Sequence, residues 1–332
     1  LAKIIIAITI CLMLFISIKL YFIENGQIVN TIMILIASFV IFDGLITSGS
    51  AMAMLRMVEN AIDSYSYVND MEDMKEGSIT EPIKNHDIVF KNVSFSYDDR
   101  QILKNVSAEI KENTMTAIVG PSGSGKTTFC NLIARFWDVN SGEILIGGKN
   151  IKDYKIENLM NSISMVFQDV YLFEDAIENN IKFGKQNASH EEVVQAAKKA
   201  RCHEFIEALP DGYNTIIGEG GASLSGGEKQ RISIARAMLK DADIIIFDEA
   251  TANIDPENED KLKEAIESLT KNKTVIMIAH RLKTIRNADQ ILVLKDGEIV
   301  ERGNHEELIK NDGLYSDLIN AKAKAESWKL NN

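Results

Sequence analysis

Cysteine is scarce in this chain: three residues in 332, Cys11, Cys130 and Cys202, with no CxxC pair among them. That spacing supports neither a zinc site nor a disulfide framework. Packed, reduced thiols in a cytosol-facing domain are the expectation. Basic charge is also short. Against 48 acidic residues stand 36 Lys and Arg, a net charge of -12, which argues against a nucleic-acid-coating surface while leaving room for a small phosphate site. The first apolar run lacks a small-residue cleavage site after it and exceeds a signal-peptide core of about 7–15 residues. The first residue is Leu rather than Met, so the chain reads as a fragment or a processed form.

Apolar residues crowd the first fifty positions. Residues 4–23 carry one charge, Lys19, and residues 28–48 form a second block after the polar turn Glu24-Asn25-Gly26-Gln27. About 20 apolar residues cross a bilayer as a helix, so the pair reads as a transmembrane hairpin. Both hairpin ends are expected on the cytoplasmic side, and Lys3 and Arg56 agree with that orientation. Lys19 can snorkel to the outer interface. Asp43, inside the second block, is costly in a membrane and becomes a candidate on a substrate path or facing a water-filled vestibule. Residues 51–72 keep an amphipathic helical pattern, and residues 73–86, charged and holding Gly77 and Pro82, read as a linker.

From residue 88 short apolar runs alternate with helical stretches. Residues 88–97 alternate like a strand, whereas 114–120, 242–250 and 273–280 are continuous apolar runs like buried strands. This pattern predicts an α/β fold with a largely parallel sheet. Gly120-Pro121-Ser122-Gly123-Ser124-Gly125-Lys126-Thr127 fits GxxxxGK[ST] between a strand and a helix. Its glycines let backbone amides wrap a phosphate, and the helix start adds positive potential. Lys126 then reaches the β- and γ-phosphates, and Thr127 offers its hydroxyl to Mg²⁺. At Ile244-Ile245-Ile246-Phe247-Asp248-Glu249 a strand ends in two carboxylates. Asp248 is placed to hold Mg²⁺ and Glu249 to polarise the attacking water. A third element, Leu224-Ser225-Gly226-Gly227-Glu228-Lys229-Gln230-Arg231, opens another helix with an anion-binding start. Two such starts in one chain are explained by a dimer in which Ser225, Gly226 and Gly227 close on ATP held by the partner.

Taken together, residues 88–320 resemble the nucleotide-binding domain of exporter-type ABC half-transporters, and the hairpin resembles the last two of their membrane helices. The resemblance implies a P-loop NTPase with a RecA-like core, a β-subdomain and a helical subdomain, preceded by an all-α transmembrane hairpin. It divides the chain into a membrane region (residues 1–72), a linker (73–86) and an ATPase domain (87–325). It implies an ATP-hydrolysing transporter subunit with ATP and Mg²⁺ as ligands. Its cofactor-binding residues would be Tyr97 (stacking on adenine), Gly120, Ser122 to Thr128 and Asp255, with Thr128 joining Thr127 at the loop's end. Gln168 would touch Mg²⁺ and couple to the membrane region, and His280 would contact the γ-phosphate. Implied partners are a second half-transporter, identical or related, the lipid bilayer of the plasma membrane and a transported substrate of undefined class; nucleic acid is not among them. The multi-pass protein would hold its ATPase domain in the cytoplasm.

Three departures from the family pattern stand out. Glu228 replaces a common Gln, the loop Ala252-Asn253-Ile254-Asp255 differs from the usual Ser-Ala-Leu-Asp, and Ile216 and Gly220 replace a Glu and an Arg in a loop tied to coupling. A soluble ABC ATPase on ribosomes or DNA needs no hairpin and favours basic surfaces. A non-hydrolysing switch would have lost Glu249 or His280, and both are present.

Overall fold

The computed structural model describes all residues except 1, 24–27, 71–73, 222, 249–255, 280–284 and 331–332. The expected turn at 24–27 and the candidates Glu249, Asp255 and His280 therefore lie outside the described residues. The chain divides into two units, Leu1–Asp73 and Met74–Asn332.

The first unit is helical. α1 (Ala2–Ile23) packs against α2 (Ile28–Asn69). Ser38, buried on α2, donates to the Ile34 carbonyl at 2.7 Å and lies 2.9 Å from the Met13 sulfur. An uninterrupted helix of 42 residues is about 63 Å long, twice the roughly 30 Å of bilayer hydrocarbon. Among the described residues α2 is the helix long and apolar enough to cross a membrane, while the apolar stretch Ile8–Lys19 of α1 is shorter than a span. Apolar side chains such as Phe15, Phe39 and Ile41 are exposed on both helices.

The second unit runs β1 (Ile88–Tyr97), β2 (Arg100–Ile110), β3 (Met115–Val119), α3 (Lys126–Ile133), β4 (Ser141–Ile146), β5 (Lys149–Asn150), α4 (Ile156–Ser162), β6 (Ile163–Val166), β7 (Asp175–Ala176), α5 (Ile177–Lys182), α6 (His190–Lys199), α7 (His203–Glu207), β8 (Ile216–Ile217), α8 (Gly226–Lys240), β9 (Ile244–Asp248), α9 (Pro256–Thr270), β10 (Thr274–Ile278), β11 (Gln290–Lys295), β12 (Glu298–Gly303), α10 (His305–Lys310) and α11 (Leu314–Leu330). The continuous apolar runs become the central strands because they are covered on both faces. The main sheet has the order β12-β11-β3-β10-β9-β6, parallel except for β12. Alternate residues feed opposite cores. Ile244, Ile246, Ile276 and Ile278 pack with Phe129 and Leu132 of α3, while Ile245, Phe247, Val275 and Met277 pack with Ile232, Ile234 and Ala235 of α8. The two helices thus lie on opposite faces of the sheet. The smaller antiparallel sheet, β2-β1-β4-β5, shares the core on the α3 face.

Residues 74–86, read as a linker, are held along this unit. Ile79 exchanges backbone bonds with the turn at Asp153–Lys155, Arg135 donates to the Lys75 carbonyl at 2.6 Å, and Ile83 is buried. The segment's charge masks this in the sequence, because main-chain groups, not side chains, make most of its contacts.

Candidate functional site

Parallel strands deliver their C-terminal ends to one edge of a sheet, where ligands of open α/β folds bind. Here the register sets that edge. Ile278 lies opposite Ile118 of β3 and Asp248 of β9, and Val166 of β6 lies opposite Phe247. The chain therefore leaves β3, β10, β9 and β6 side by side, towards Gly120, Ala279, Asp248 and Gln168 in that spatial order. Four segments far apart in sequence converge because their strands are neighbours.

The loop after β3 is built as an anion cradle. Gly120, Gly123 and Gly125 have φ of 155°, 76° and 100°, values that glycine adopts without strain. A Cβ on Gly120 would run into the Leu294 carbonyl, whereas one on Gly123 meets nothing within 4 Å. No side chain caps α3, which begins at Lys126 behind Gly125, so its first turn keeps amides available to an anion. Ser124 Oγ is buried without a hydrogen-bond partner, an arrangement that costs free energy unless a ligand oxygen meets it. Lys126 is buried, and its Nζ donates to the carbonyls of Gly120 at 3.2 Å and Pro121 at 2.8 Å, so its charge is held against the loop. Thr127 is exposed and Thr128 buried.

Asp248 ends β9, partly buried, beside α3. Its charge is felt at Cys130 of α3, whose thiol is pushed well up by burial first and by Asp248 second. The carboxylate thus faces the cradle's helix. Gln168 is exposed at the end of the β6 strand. Tyr97 is half-buried and edge-on to Phe95 (4.8 Å) and to Trp137 (5.0 Å). The sequence reading did not include Trp137, which gives Tyr97 a second aromatic neighbour.

Ser225 caps α8 with φ -65° and ψ 159°. Its hydroxyl accepts from the Glu228 amide, and the Glu228 carboxylate in turn accepts from the Ser225 amide and hydroxyl, both at 2.8 Å. Glu228, read only as a mild departure, therefore completes a capping box. Gly226 has open space around it. Gln230, given no role of its own in the sequence reading, is buried and donates from Nε2 to the Phe167 carbonyl at 3.3 Å. Beside Gln168 an apolar groove of about 350 Å³ is lined by Phe136, Phe167, Tyr171, Phe173, Phe183 and Arg236. It is separate from the phosphate cradle, and its aromatic rings are largely exposed.

Residues 103–252 match the ABC transporter family. Curated relatives match over 251 residues, or 76% of this chain: an ATP-dependent lipid A-core flippase of Syntrophus aciditrophicus at 49% identity and one of Desulfotalea psychrophila at 50%. The solved structure of a bacterial Atm1-family ABC exporter with ATP bound superposes with a TM-score of 0.74 at 35% identity, covering 97% of this chain. The chain belongs to the ABC transporter family. It spans 42% and 44% of the length of those two flippases and 57% of the Atm1-family exporter chain. Membership of this family implies that the domain binds ATP. The α/β core with its P-loop and an N-terminal helix is the architecture expected from the sequence.

Proposed function

We propose that this chain is the ATP-hydrolysing subunit of an exporter-type ABC transporter, in which two nucleotide-binding units close on ATP and drive a substrate across the cytoplasmic membrane. The observation that carries this reading is that its two anion-binding helix starts, those of α3 and α8, serve cores on opposite faces of one sheet. A second unit, identical or related, that presents its own Ser225, Gly226 and Gly227 to ATP in the first cradle gives both starts a use.

Mg²⁺ fits the donor set. Thr127, Asp248 and Gln168 offer oxygens, which suit a small hard cation that keeps phosphates as its other ligands. When bound, it neutralises charge on the transferring phosphate. The remaining work belongs to this chain's residues. Amides of Ser122 to Thr128 wrap the phosphates, Ser124 donates its orphaned hydroxyl, and Lys126 turns from its carbonyls to the β- and γ-oxygens. Glu249 orients the attacking water, and His280 contacts the γ-phosphate. Tyr97 stacks on adenine, and Asp255 bridges the two units. The domain limits 1–72, 73–86 and 87–325 are those of the sequence reading. The helical hairpin of α1 and α2 anchors the protein in the plasma membrane.

The test is Mg²⁺-dependent ATP hydrolysis by the purified chain against protein concentration, with Glu249→Gln alongside. The rate per molecule rises with concentration, and the variant binds ATP, dimerises and stalls. Wild-type chain that binds ATP yet shows no turnover at any concentration overturns the reading.

A further inference from the structure

The groove loop, residues 171–184, owes its shape to one helix. Asn180, 1% exposed, organises the loop from within: its Oδ1 accepts from the Phe173 amide at 2.9 Å, and its Nδ2 donates to the Phe173, Asp175 and Ala176 carbonyls at 3.0, 3.4 and 3.2 Å. Arg236 of α8 grips that organiser. Its Nε donates to the Asn180 carbonyl at 2.9 Å, one terminal nitrogen to Asn180 Oδ1 at 3.2 Å and the other to the Tyr171 carbonyl at 3.3 Å. The guanidinium lies 5.4 Å from the centre of the Phe183 ring, at the groove wall. Close packing excludes slack here, since a Cβ on Gly184 would strike the Arg236 carbonyl. Burial lowers the Arg236 pKa to about 10, so the side chain is charged at neutral pH.

The same loop is tied to the other end of α8. β7 pairs with β8, Ile177 donates to the Thr215 carbonyl at 3.1 Å, and Gly220 donates to the Leu172 carbonyl at 3.1 Å. Gly221 then accepts from Leu224, next to the Ser225 cap. Along its length α8 also holds the strand that leads to Gln168: Gln230 bonds the Phe167 carbonyl, and Lys240, its last residue, bonds the Ile163 carbonyl at 2.7 Å. A helix of 15 residues, about 22 Å long, is therefore fastened to the groove loop at both ends. Tyr171, Phe173 and Phe183, exposed on the groove, ride on that frame.

We propose that the Arg236–Asn180 clasp is the positioning element that makes the groove loop follow α8, so that ATP capture at Ser225 is transmitted to the groove. This rests on the reading of Ser225 as a contact for the partner's ATP. A rigid helix bonded to two of the loop's carbonyls and to the Asn180 side chain moves its loop as one body, whereas a loop held only through β7 and β8 can lag behind it. Spatial continuity alone does not establish coupling, so the test must read the response to ligand rather than the resting structure.

The experiment is hydrogen–deuterium exchange on the full chain in detergent, in a Glu249→Gln background, with and without Mg²⁺-ATP. In that parent, ATP slows exchange in 120–128, in 222–230 and in 171–184. With Arg236→Gln added, the first two segments still respond and 171–184 no longer does; Asn180→Ala gives the same split. Should Arg236→Gln fail to fold, Arg236→Lys keeps the charge, lacks the fork, and carries the same expectation. A groove loop that responds as in the parent when the clasp is cut overturns the proposal. A parent in which ATP protects 120–128 but not 222–230 instead overturns the two-unit reading beneath it.

Discussion

Gln230 Nε2 and the Phe167 carbonyl are joined by a 3.3 Å hydrogen bond, one residue before Gln168. Gln230 is 4% exposed, so its amide is committed to this contact rather than to water. The proposed metal contact at Gln168 is thereby positioned from α8. Gln230→Ala should lower stability by about 1 kcal/mol and kcat on the order of tenfold through misplacement of Gln168. KM for ATP should change by less than about threefold, since the cradle is untouched. Gln230→Glu, which keeps the shape but presents a carboxylate to a carbonyl, should be at least as impaired. Steady-state kinetics with thermal melts separate the two effects.

The cradle glycines have different duties. Gly120→Ala would drive a Cβ into the Leu294 carbonyl, which is backbone and cannot step aside. Gly123→Ala meets open space and pays only for a φ of 76°, about 1–2 kcal/mol. Gly120→Ala should therefore cost at least about 3 kcal/mol of stability. Gly123→Ala should fold and yet bind ATP weakly, because its methyl stands where a phosphate approaches. Melting curves and ATP titration of both variants check the contrast.

These contrasts mark what the sequence could and could not convey. The turn between β3 and α3 was legible because Gly120, Gly123 and Gly125 stand at fixed local spacing where the chain needs positive φ, and the strands were legible because buried parallel strands are apolar on both faces. The meeting of Gln168, Asp248 and the cradle at one edge depends on strand order, which no local pattern encodes. The roles of Gln230 and Arg236 could not be read for a related reason. They are polar residues on the buried side of a helix, and only the carbonyls they reach, 63 and 56 to 65 residues away in sequence, explain them. Their signal was the interruption of an apolar face by Gln230, Ser233 and Arg236.

Ser225 has two candidate duties, capping α8 and touching the partner's ATP, and substitutions can divide them. Ser225→Ala removes the cap and should cost about 1 kcal/mol, while Ser225→Gly should cost only a few tenths. If the hydroxyl serves ATP, both variants lose the concentration-dependent part of hydrolysis to the same extent despite unequal stability. Activity that tracks stability instead would reduce Ser225 to a cap.

The helical subdomain carries an acid-sensitive contact. Glu178 is largely buried and bonds Lys182 at 2.6 Å and His190 at 2.8 Å. Burial is the largest influence and pushes its pKa up, but the bonds from Lys182 and then His190 outweigh it, so the carboxyl sits below its ordinary value of 4.5. A depressed pKa in the folded state means the unfolded chain takes up the proton first. The contact's full contribution is therefore present above about pH 4.5, the unfolded value, and disappears as pH falls through the lower folded value. Glu178→Gln should melt below the wild type at pH 7 by a gap worth about 1 kcal/mol. That gap should hold down to about pH 5 and close on further acidification. Melting temperatures of both chains measured from pH 7 to pH 3 decide it; a gap that stays constant across the range would show that Glu178 contributes through packing rather than charge.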